Sequence, residues 1–167
     1  MVLSHILLRL IFFGVAIAAC GSCFALDFKG IELGEPVSMK RMHQVASVSC
    51  SSATAVVGGM EQSCVGYTTI AGMNAKISIG LWAGNIVRII GLTLPSEKYQ
   101  AVEDALIVRY GQPIRERLPN GMEMAPRWHF SDGSWIQASD SDLFYPGMAQ
   151  IDFMAGKVEA ASPNEDL

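Results

Sequence analysis

The segment KISIGLWAGNIVRIIGLTL, residues 76–94, decides the fold class of this 167-residue chain. Over 76–82, isoleucine and leucine occupy every second position, which is typical of a strand with one buried face. Ala83-Gly84-Asn85 is a tight-turn signal, and 86–94 is a second long apolar segment. The run 86–90 does not alternate cleanly, so we expect a bulge there or burial on both faces. The segment therefore predicts two consecutive strands joined by a tight turn.

Further strands and two helices are predicted on either side of these two strands. In chain order, the predicted elements are a helix over 38–48, strands over 63–71, 76–82 and 86–94, a helix over 96–110, and strands over 127–131, 134–138 and 148–155. This αβββ–αβββ order predicts an α+β fold, an antiparallel sheet with both helices packed on one face. We expect 26–155 to form a single domain and 156–167 to be a flexible polar tail.

Capping residues and apolar spacing define the ends of the two helices. An apolar stripe at i, i+3, i+7 and i+11 runs from Tyr99 to Tyr110 in the second helix. Ser96 is placed to cap the start of this helix, and Gly111 to end it. Ser38 is placed to cap the first helix. The small residues over 50–59 are expected to form a loop.

The last predicted hairpin is centred on Asp132-Gly133, a strong signal for a two-residue loop. With such a loop, Phe130 lies opposite Trp135 on the neighbouring strand. Trp128 then shares a sheet face with both of them, and His129 points to the other face. The sequence thus predicts one cluster of three aromatic side chains.

The N-terminal residues 1–25 have the layout of a secretory signal peptide. Arg9 supplies the positive charge near the start, and a short apolar run follows it. Cys23-Phe24-Ala25 then forms a small-x-small cleavage site. Cleavage there would make Leu26 the first residue of the mature chain. A second possibility is lipidation, because Ile17-Ala18-Ala19-Cys20 resembles a bacterial lipobox with Cys20 as the lipidated residue. An uncleaved anchor is the third possibility.

Composition and charge exclude several classes of protein. Half of the residues are hydrophobic and 17% are charged, which is too apolar for a disordered chain. Twelve Lys+Arg against sixteen Asp+Glu give a net charge of −4, and no basic run is present, so nucleic-acid binding is not expected. One long apolar segment excludes a multi-pass membrane protein. The expected mature chain is an ordinary acidic domain.

Two of the four cysteines, Cys50 and Cys64, lie in the predicted mature domain. Two cysteines in an exported chain are expected to pair. The thirteen residues between them are rich in Ser, Gly and Ala, and closing such a loop stabilises a fold by roughly 3 kcal/mol. Neither cysteine lies in a C-x-x-C motif, and the histidines do not complete metal-ligand spacing. A structural disulfide is therefore predicted.

No catalytic, cofactor or metal site is predicted from the motifs. His43 and His129 lie in no recognisable acid–base arrangement, and no G-x-S-x-G motif is present. Met39, Met42 and His43 suggest soft copper ligands, but the spacing indicates core methionines beside a solvated histidine. Trp82 lies beside a turn, and its side chain is expected on the sheet face opposite to that of Leu81. It is therefore the tryptophan that we predict to contact a partner.

Two resemblances to known proteins follow from these features. The αβββ–αβββ order resembles the tandem arrangement of the β-lactamase-inhibitor-protein-like and outer-membrane-assembly small lipoproteins. The segment Phe28-Lys29-Gly30-Ile31-Glu32-Leu33-Gly34, the Cys50/Cys64 pair and Tyr110-Gly111-Gln112-Pro113 resemble a group of small, uncharacterised proteobacterial exported proteins. The second resemblance covers most of the mature chain and implies export, but no activity.

These features together favour an exported periplasmic protein of the bacterial cell envelope. We expect a non-enzymatic binding module that needs no cofactor and contacts a protein or small-molecule partner in the envelope. The exposed sheet face, or the Ser/Gly loop between Cys50 and Cys64, would supply the binding surface. One alternative is an envelope assembly or integrity factor lipidated at Cys20, and another is a hydrolase whose site is assembled from distant residues. Membrane contact is expected only through the signal or a lipid anchor.

Overall fold

The computed structural model describes residues 26–52, 60–141 and 146–156. The predicted signal peptide with Cys20, most of the loop between the cysteines, and all but the first residue of the predicted tail lie outside the described residues. Within them the chain has an α+β fold with two α-helices, a seven-stranded sheet and a separate two-stranded hairpin. The predicted fold class is confirmed. No helix in this part of the chain is long and apolar enough to cross a membrane.

Eleven strands and helices follow one another along the described part of the chain, and the connection between the second helix and the seventh strand, residues 111–126, is sixteen residues long. In chain order they are β1 (Asp27–Phe28), β2 (Ile31–Glu32), α1 (Met39–Val45), β3 (Ser47–Ser52), β4 (Gln62–Ile70), β5 (Met73–Trp82), β6 (Ile86–Pro95), α2 (Tyr99–Tyr110), β7 (Arg127–His129), β8 (Trp135–Ser139) and β9 (Met148–Met154). A 3₁₀ turn, Ser96–Lys98, precedes α2.

The large sheet is built from two meanders. Its strand order is β3-β4-β5-β6-β9-β8-β7, and every neighbouring pair is antiparallel. Strands β3 to β6 form the first meander and β7 to β9 the second, joined where β6 pairs with β9. The helix α2 connects the two meanders, so the middle of the chain crosses the buried face of the sheet.

One edge strand, β3, was not predicted from the sequence. We expected a helix as far as Val48 and a loop from Cys50, but α1 ends at Val45 and Ala46 is already extended. Strand β3 then pairs with β4 along its whole length. The serine-rich sequence over 47–52 has weak strand propensity of its own. Pairing with the long neighbouring strand β4 therefore stabilises β3 as a strand despite its weak propensity. After the β1–β2 hairpin, the order of elements is α-ββββ-α-βββ rather than the predicted αβββ–αβββ.

The irregularity predicted over 86–90 is a bulge between β5 and β6. Gly80 pairs with Ile89, whereas the next residue, Leu81, pairs with Val87, so Arg88 is the extra residue. The bulge returns Val87 and Ile90 to the same buried face, and both side chains are fully buried. A bulge rather than two-sided burial therefore explains the broken alternation.

The hairpin between β7 and β8 differs from the prediction by one residue. The amide of Phe130 donates to the carbonyl of Ser134 (3.0 Å), which encloses a three-residue loop with Gly133 at φ 80°. The carboxylate of Asp132 accepts hydrogen bonds from both the amide (2.9 Å) and the hydroxyl (2.6 Å) of Ser134. These bonds hold the almost fully buried Ser134 at the turn rather than in the strand. The prediction of a two-residue loop was wrong.

This extra loop residue moves Trp135 to the other face of the sheet. Trp128 lies opposite Ile136, and His129 lies opposite Trp135. Trp128 and Ile136 are buried, whereas His129 is exposed on the face that it shares with Trp135. The predicted cluster of three aromatic side chains does not form, because side chains alternate strictly along a strand and one residue inverts the parity.

The core lies between one face of the sheet and both helices. Met42 of α1 and Val102 and Leu106 of α2 are buried against it, as the apolar stripe predicts. The hydroxyl of Ser38 accepts from the amide of Arg41 (3.2 Å), so the predicted cap of α1 is confirmed. The hydroxyl of Ser96, in contrast, donates to a carbonyl in another loop and does not cap α2.

Candidate functional site

A cavity of about 360 Å³ lies between α2, the turn of the β1–β2 hairpin and the turn between β4 and β5. We call its buried and half-buried lining the floor, and its exposed lining the rim. The floor consists of Phe28, Ile70, Val102, Leu106, Tyr110 and Phe153, and the rim of Lys29, Thr69, Ala71, Gly72, Ala105 and Arg109. The volume is at the lower end of the range that small-molecule sites occupy.

The floor is apolar because it is continuous with the hydrophobic core. The rings of Phe28 and Phe153 lie with their centroids 5.5 Å apart. Val102 and Leu106 project from α2 onto the same core and are almost fully buried. A ligand that enters the cavity would therefore meet aromatic and branched aliphatic side chains and would gain by leaving water.

Asp27 joins the two walls of the cavity. One carboxylate oxygen, Oδ1, accepts from Arg109 Nη2 of α2 at 2.7 Å. The other, Oδ2, accepts from the amide of Gly30 in the β1–β2 turn at 2.8 Å. The hydroxyl of Tyr110 also donates to the carbonyl of Asp27 (3.4 Å). These contacts tie the small hairpin to α2 across 82 residues of sequence and fix the width of the cavity.

The β1–β2 turn is held from its outer side by Arg41 of α1. The Nη2 group of Arg41 donates to the carbonyl of Lys29 (2.9 Å), and its Nε donates to the carbonyl of Gly30 (3.2 Å). Both turn residues have positive φ, 52° at Lys29 and 76° at Gly30, as a two-residue primed turn requires. Arg41 and Asp27 together hold the turn in the conformation that places Lys29 on the rim.

The ammonium group of Lys29 lies over two threonine hydroxyls. Its Nζ is 3.3 Å from Thr68 Oγ1 and 3.3 Å from Thr69 Oγ1. The hydroxyl of Thr68 donates to the carbonyl of Val45 (2.9 Å), so its oxygen is oriented to accept from the lysine. Within the described ranges, no carboxylate lies within 4 Å of Lys29 Nζ. Two hydroxyls accept from the ammonium group, which also lies 5.9 Å from the centroid of the Phe28 ring, so one of its three N–H donors meets no oxygen among the described residues.

The rim carries more positive than negative charge. Lys29 and Arg109 both lie there, and Asp27 is the carboxylate that the described structure places beside them. Arg109 uses one N–H for Asp27 and also lies over the ring of Tyr110, with Cζ 5.1 Å from the centroid. Burial raises the pKa of the Tyr110 phenol above its ordinary value, and its hydroxyl donates to the carbonyl of Asp27.

The predicted disulfide is present but lies away from the cavity. Cys50 and Cys64 are directly opposed on β3 and β4, with Cα atoms 3.9 Å apart. The Cys64 side chain is fully buried, whereas Cys50 is half-buried and has Met39 Sδ 3.8 Å from its sulfur. The bridge is compatible with an exported protein, because disulfides persist in oxidising compartments. It fastens the edge strand β3 to the sheet.

The methionines and the histidine considered as copper ligands do not converge. Met42 is in the core, Met39 lies against Cys50, and His43 Nε2 is 3.2 Å from the carbonyl of Val48. No group of three or more metal-ligating His, Cys, Asp or Glu side chains occurs among the described residues. The ring of His43 instead lies within hydrogen-bond distance of a backbone carbonyl of the edge strand β3.

The surfaces predicted to contact a partner are only partly exposed. Trp82 is half-buried at the end of β5, where it pairs with Ile86, and its role as a partner contact stays a prediction. The open sheet face is mainly polar. Its most exposed large apolar side chains are Val65 and Tyr67 of β4, with 41% and 68% of their surface accessible.

Sequence reasoning did not find the cavity, although the residues that build it left one signal. Lys29-Gly30 and Ala71-Gly72 each follow a strand and precede another, with glycine in the second turn position. This pattern indicates two tight turns. It does not show that the two turns and Arg109 meet, because the pairs are separated by about forty residues.

Comparison of the chain with protein-family models, with curated proteins and with solved structures gave no match.

Proposed function

We propose that the chain is an exported, non-enzymatic binding module of the bacterial cell envelope, which takes a small ligand into the cavity beside α2. The observation that carries this proposal is the cavity itself, with an apolar floor and a charged, hydroxyl-lined rim. A concave apolar site with a few converging polar groups is the usual form of a small-molecule site. Of the two kinds of partner that the sequence left open, a protein and a small molecule, we therefore propose the small molecule.

Export is the second part of the proposal. The Cys50–Cys64 bridge supports it, because such bridges are rare in reducing compartments. The described fold begins at Leu26, whose side chain is 3% exposed and whose carbonyl accepts from the amide of Leu33 (2.9 Å). Cleavage after Ala25 would leave the whole described fold in the mature chain. Lipidation at Cys20 would leave five residues, 21–25, between the lipidated cysteine and Leu26, a reach of at most about 22 Å.

The lining of the cavity favours binding over catalysis. The nearest arrangement to a nucleophile with a base is the contact between Thr69 Oγ1 and Lys29 Nζ. A lysine that acts as a general base is normally buried in apolar surroundings, whereas Lys29 is exposed. The lysine therefore serves as a fixed positive charge, and Thr69 as a hydrogen-bonding group, in the proposed site.

Two measurements test the proposal. The intact mass of the protein from a periplasmic extract should equal that of a chain beginning at Leu26, and reduction should raise it by the mass of two hydrogens. A ligand-observed NMR screen of small amphipathic compounds should give binders to the wild type that Ala105→Trp no longer binds, because the exposed Ala105 lines the rim.

The matched control for this variant is Ala101→Trp. Ala101 is also exposed on α2, one turn earlier, and does not line the cavity. The control should keep the binders of the wild type. Binders that tolerate Ala105→Trp, or the absence of any binder, would contradict a ligand site in the cavity. A mass that includes residues 1–25 without cleavage or acylation would contradict export as a processed protein.

A further inference from the structure

We infer that the cavity selects a small amphipathic carboxylate, with its apolar chain or ring on the floor and its anionic group on the rim between Lys29 and Arg109. This inference rests on the proposed function and names the ligand class of the same site. It joins two observations, the apolar floor and the positive rim, which line one space of about 360 Å³.

The charge on the rim decides the sign of the ligand. The expected mature chain is acidic, with 11 basic and 16 acidic residues after Arg9 leaves with the signal peptide. An excess of positive charge at one cavity is therefore a local departure from the composition. Asp27 offsets one of the two positive charges through its ion pair with Arg109, which leaves one positive charge in excess among Lys29, Arg109 and Asp27.

The donors on the rim match the needs of a carboxylate. Lys29 has one ammonium donor beyond the two that meet Thr68 and Thr69, and Arg109 has four N–H groups beyond the one that meets Asp27. The Thr69 hydroxyl accepts from Lys29 and keeps its own proton for a ligand oxygen. Charge-assisted hydrogen bonds of this kind are shorter and stronger than neutral ones.

The size of the cavity limits the apolar part of the ligand. A volume at the lower end of the usual range admits a medium-length chain or one to two rings, not a long lipid chain. The small rim residues Ala71, Gly72 and Ala105 leave the mouth open toward solvent. We therefore expect a free carboxylate to enter the cavity from solution, rather than an intact lipid from a membrane.

The test uses isothermal titration of the mature protein with three ligands of equal chain length: octanoate, octanol and octylammonium. We expect octanoate to bind at least ten-fold more tightly than the other two, and 2-naphthoate to bind comparably with octanoate. Raising the salt concentration from 50 to 500 mM should weaken octanoate binding several-fold and leave octanol binding unchanged. Hexadecanoate should gain little over octanoate.

Lys29→Asn is the discriminating variant. Asparagine tolerates positive φ, so the turn keeps its conformation while the ammonium group is lost. We expect a five- to ten-fold loss of octanoate affinity with no loss of octanol affinity. Lys40→Asn removes the same charge from an exposed position on α1 that does not line the cavity, and should change neither affinity.

The outcomes separate the ligand class from the proposed function. Octanol or octylammonium that binds as tightly as octanoate, with Ala105→Trp abolishing the binding, would overturn the carboxylate inference and leave a ligand site in the cavity. An equal effect of Lys29→Asn and Lys40→Asn would overturn the role of the rim charge. Failure of every ligand, including the compounds of the NMR screen, would overturn both.

Discussion

Arg109 and Asp27 form an ion pair of 2.7 Å between α2 and β1, across 82 residues of sequence. The same aspartate accepts from the amide of Gly30, so one carboxylate links the helix to the turn that carries Lys29. The relationship makes Asp27 a positioning residue. The width of the cavity and the location of its ammonium group both depend on this side chain.

A double-mutant cycle should detect this ion pair. Asp27→Asn and Arg109→Gln should each destabilise the fold, and we expect a coupling of about 0.5–1 kcal/mol, because Asp27 is 32% exposed and Arg109 55% exposed. Urea unfolding at low salt measures it. The coupling should shrink at 0.5 M salt. The more exposed pair Arg117–Glu123 is the control and should show a smaller coupling; equal values for the two pairs would contradict the role given to Asp27.

Removing the disulfide should destabilise the fold by about 2–4 kcal/mol, as expected for a bridge that closes a loop of this length. The double variant Cys50→Ala/Cys64→Ala avoids a buried unpaired thiol. Urea unfolding of this variant and of the wild type, with and without reductant, measures the effect. Reductant should lower the stability of the wild type only. An unchanged wild type under reducing conditions would show that the bridge does not stabilise the sheet.

Ala71 is a residue with a Cβ atom at φ 48°, followed by Gly72 at φ 76° in a two-residue turn. Asparagine is favoured at this first position, because it adopts the left-handed conformation more readily than alanine. Ala71→Asn should therefore raise the free energy of unfolding by about 0.5–1 kcal/mol. Thermal unfolding followed by circular dichroism checks this. The control, Ala101→Asn in the first turn of α2, should lower the stability instead.

Tyr99 should ionise late in an alkaline titration. Burial, followed by the nearby carboxylate of Glu103, raises the pKa of its phenol from 10.0 to about 12. The folded chain thus holds this proton more tightly than the unfolded chain. The resulting stabilisation is complete below pH 10 and is lost as the pH rises through 12.

Spectrophotometric titration of the tyrosinate absorbance checks this prediction. Tyr99→Phe should remove an ionisation step near pH 12, whereas Tyr67→Phe, which changes an exposed ring, should retain it. Persistence of that step in Tyr99→Phe would refute the assignment to Tyr99. The unfolding free energy of the wild type should also fall between pH 10 and 12 more than that of Tyr99→Phe.

Strands and helices with a strong periodic pattern were predictable from the sequence. The alternation over 76–82 and the stripe from Tyr99 to Tyr110 are local properties, and both elements form where they are predicted. Strand β3 was missed because its serines carry no such pattern, and its pairing with β4 is a long-range contact. The bulge at Arg88 was signalled by the sequence, although its position was not.

In the β7–β8 hairpin, hydrogen bonds to one side chain set a loop length that differs from the length predicted from the local sequence. Asp132-Gly133 predicts a turn, and a turn forms there. The length of its loop depends on hydrogen bonds from the amide and hydroxyl of Ser134 to the Asp132 carboxylate, in a nearly buried position. The sequence pattern does not show that burial. The predicted face of Trp135 was wrong for this reason alone, whereas His129 lies on the face opposite Trp128, as predicted.

The sequence by itself determined the fold class, both helices, most strands and the cysteine pair, because these follow from periodicity, turn residues and composition over short windows. Only the tertiary structure decided that Lys29, Asp27 and Arg109 meet beside an apolar floor. A cavity is the space left when distant elements pack, and its shape depends on the summed geometry of all of them. No local pattern in the chain encodes that space, although every residue that lines it is printed in the sequence.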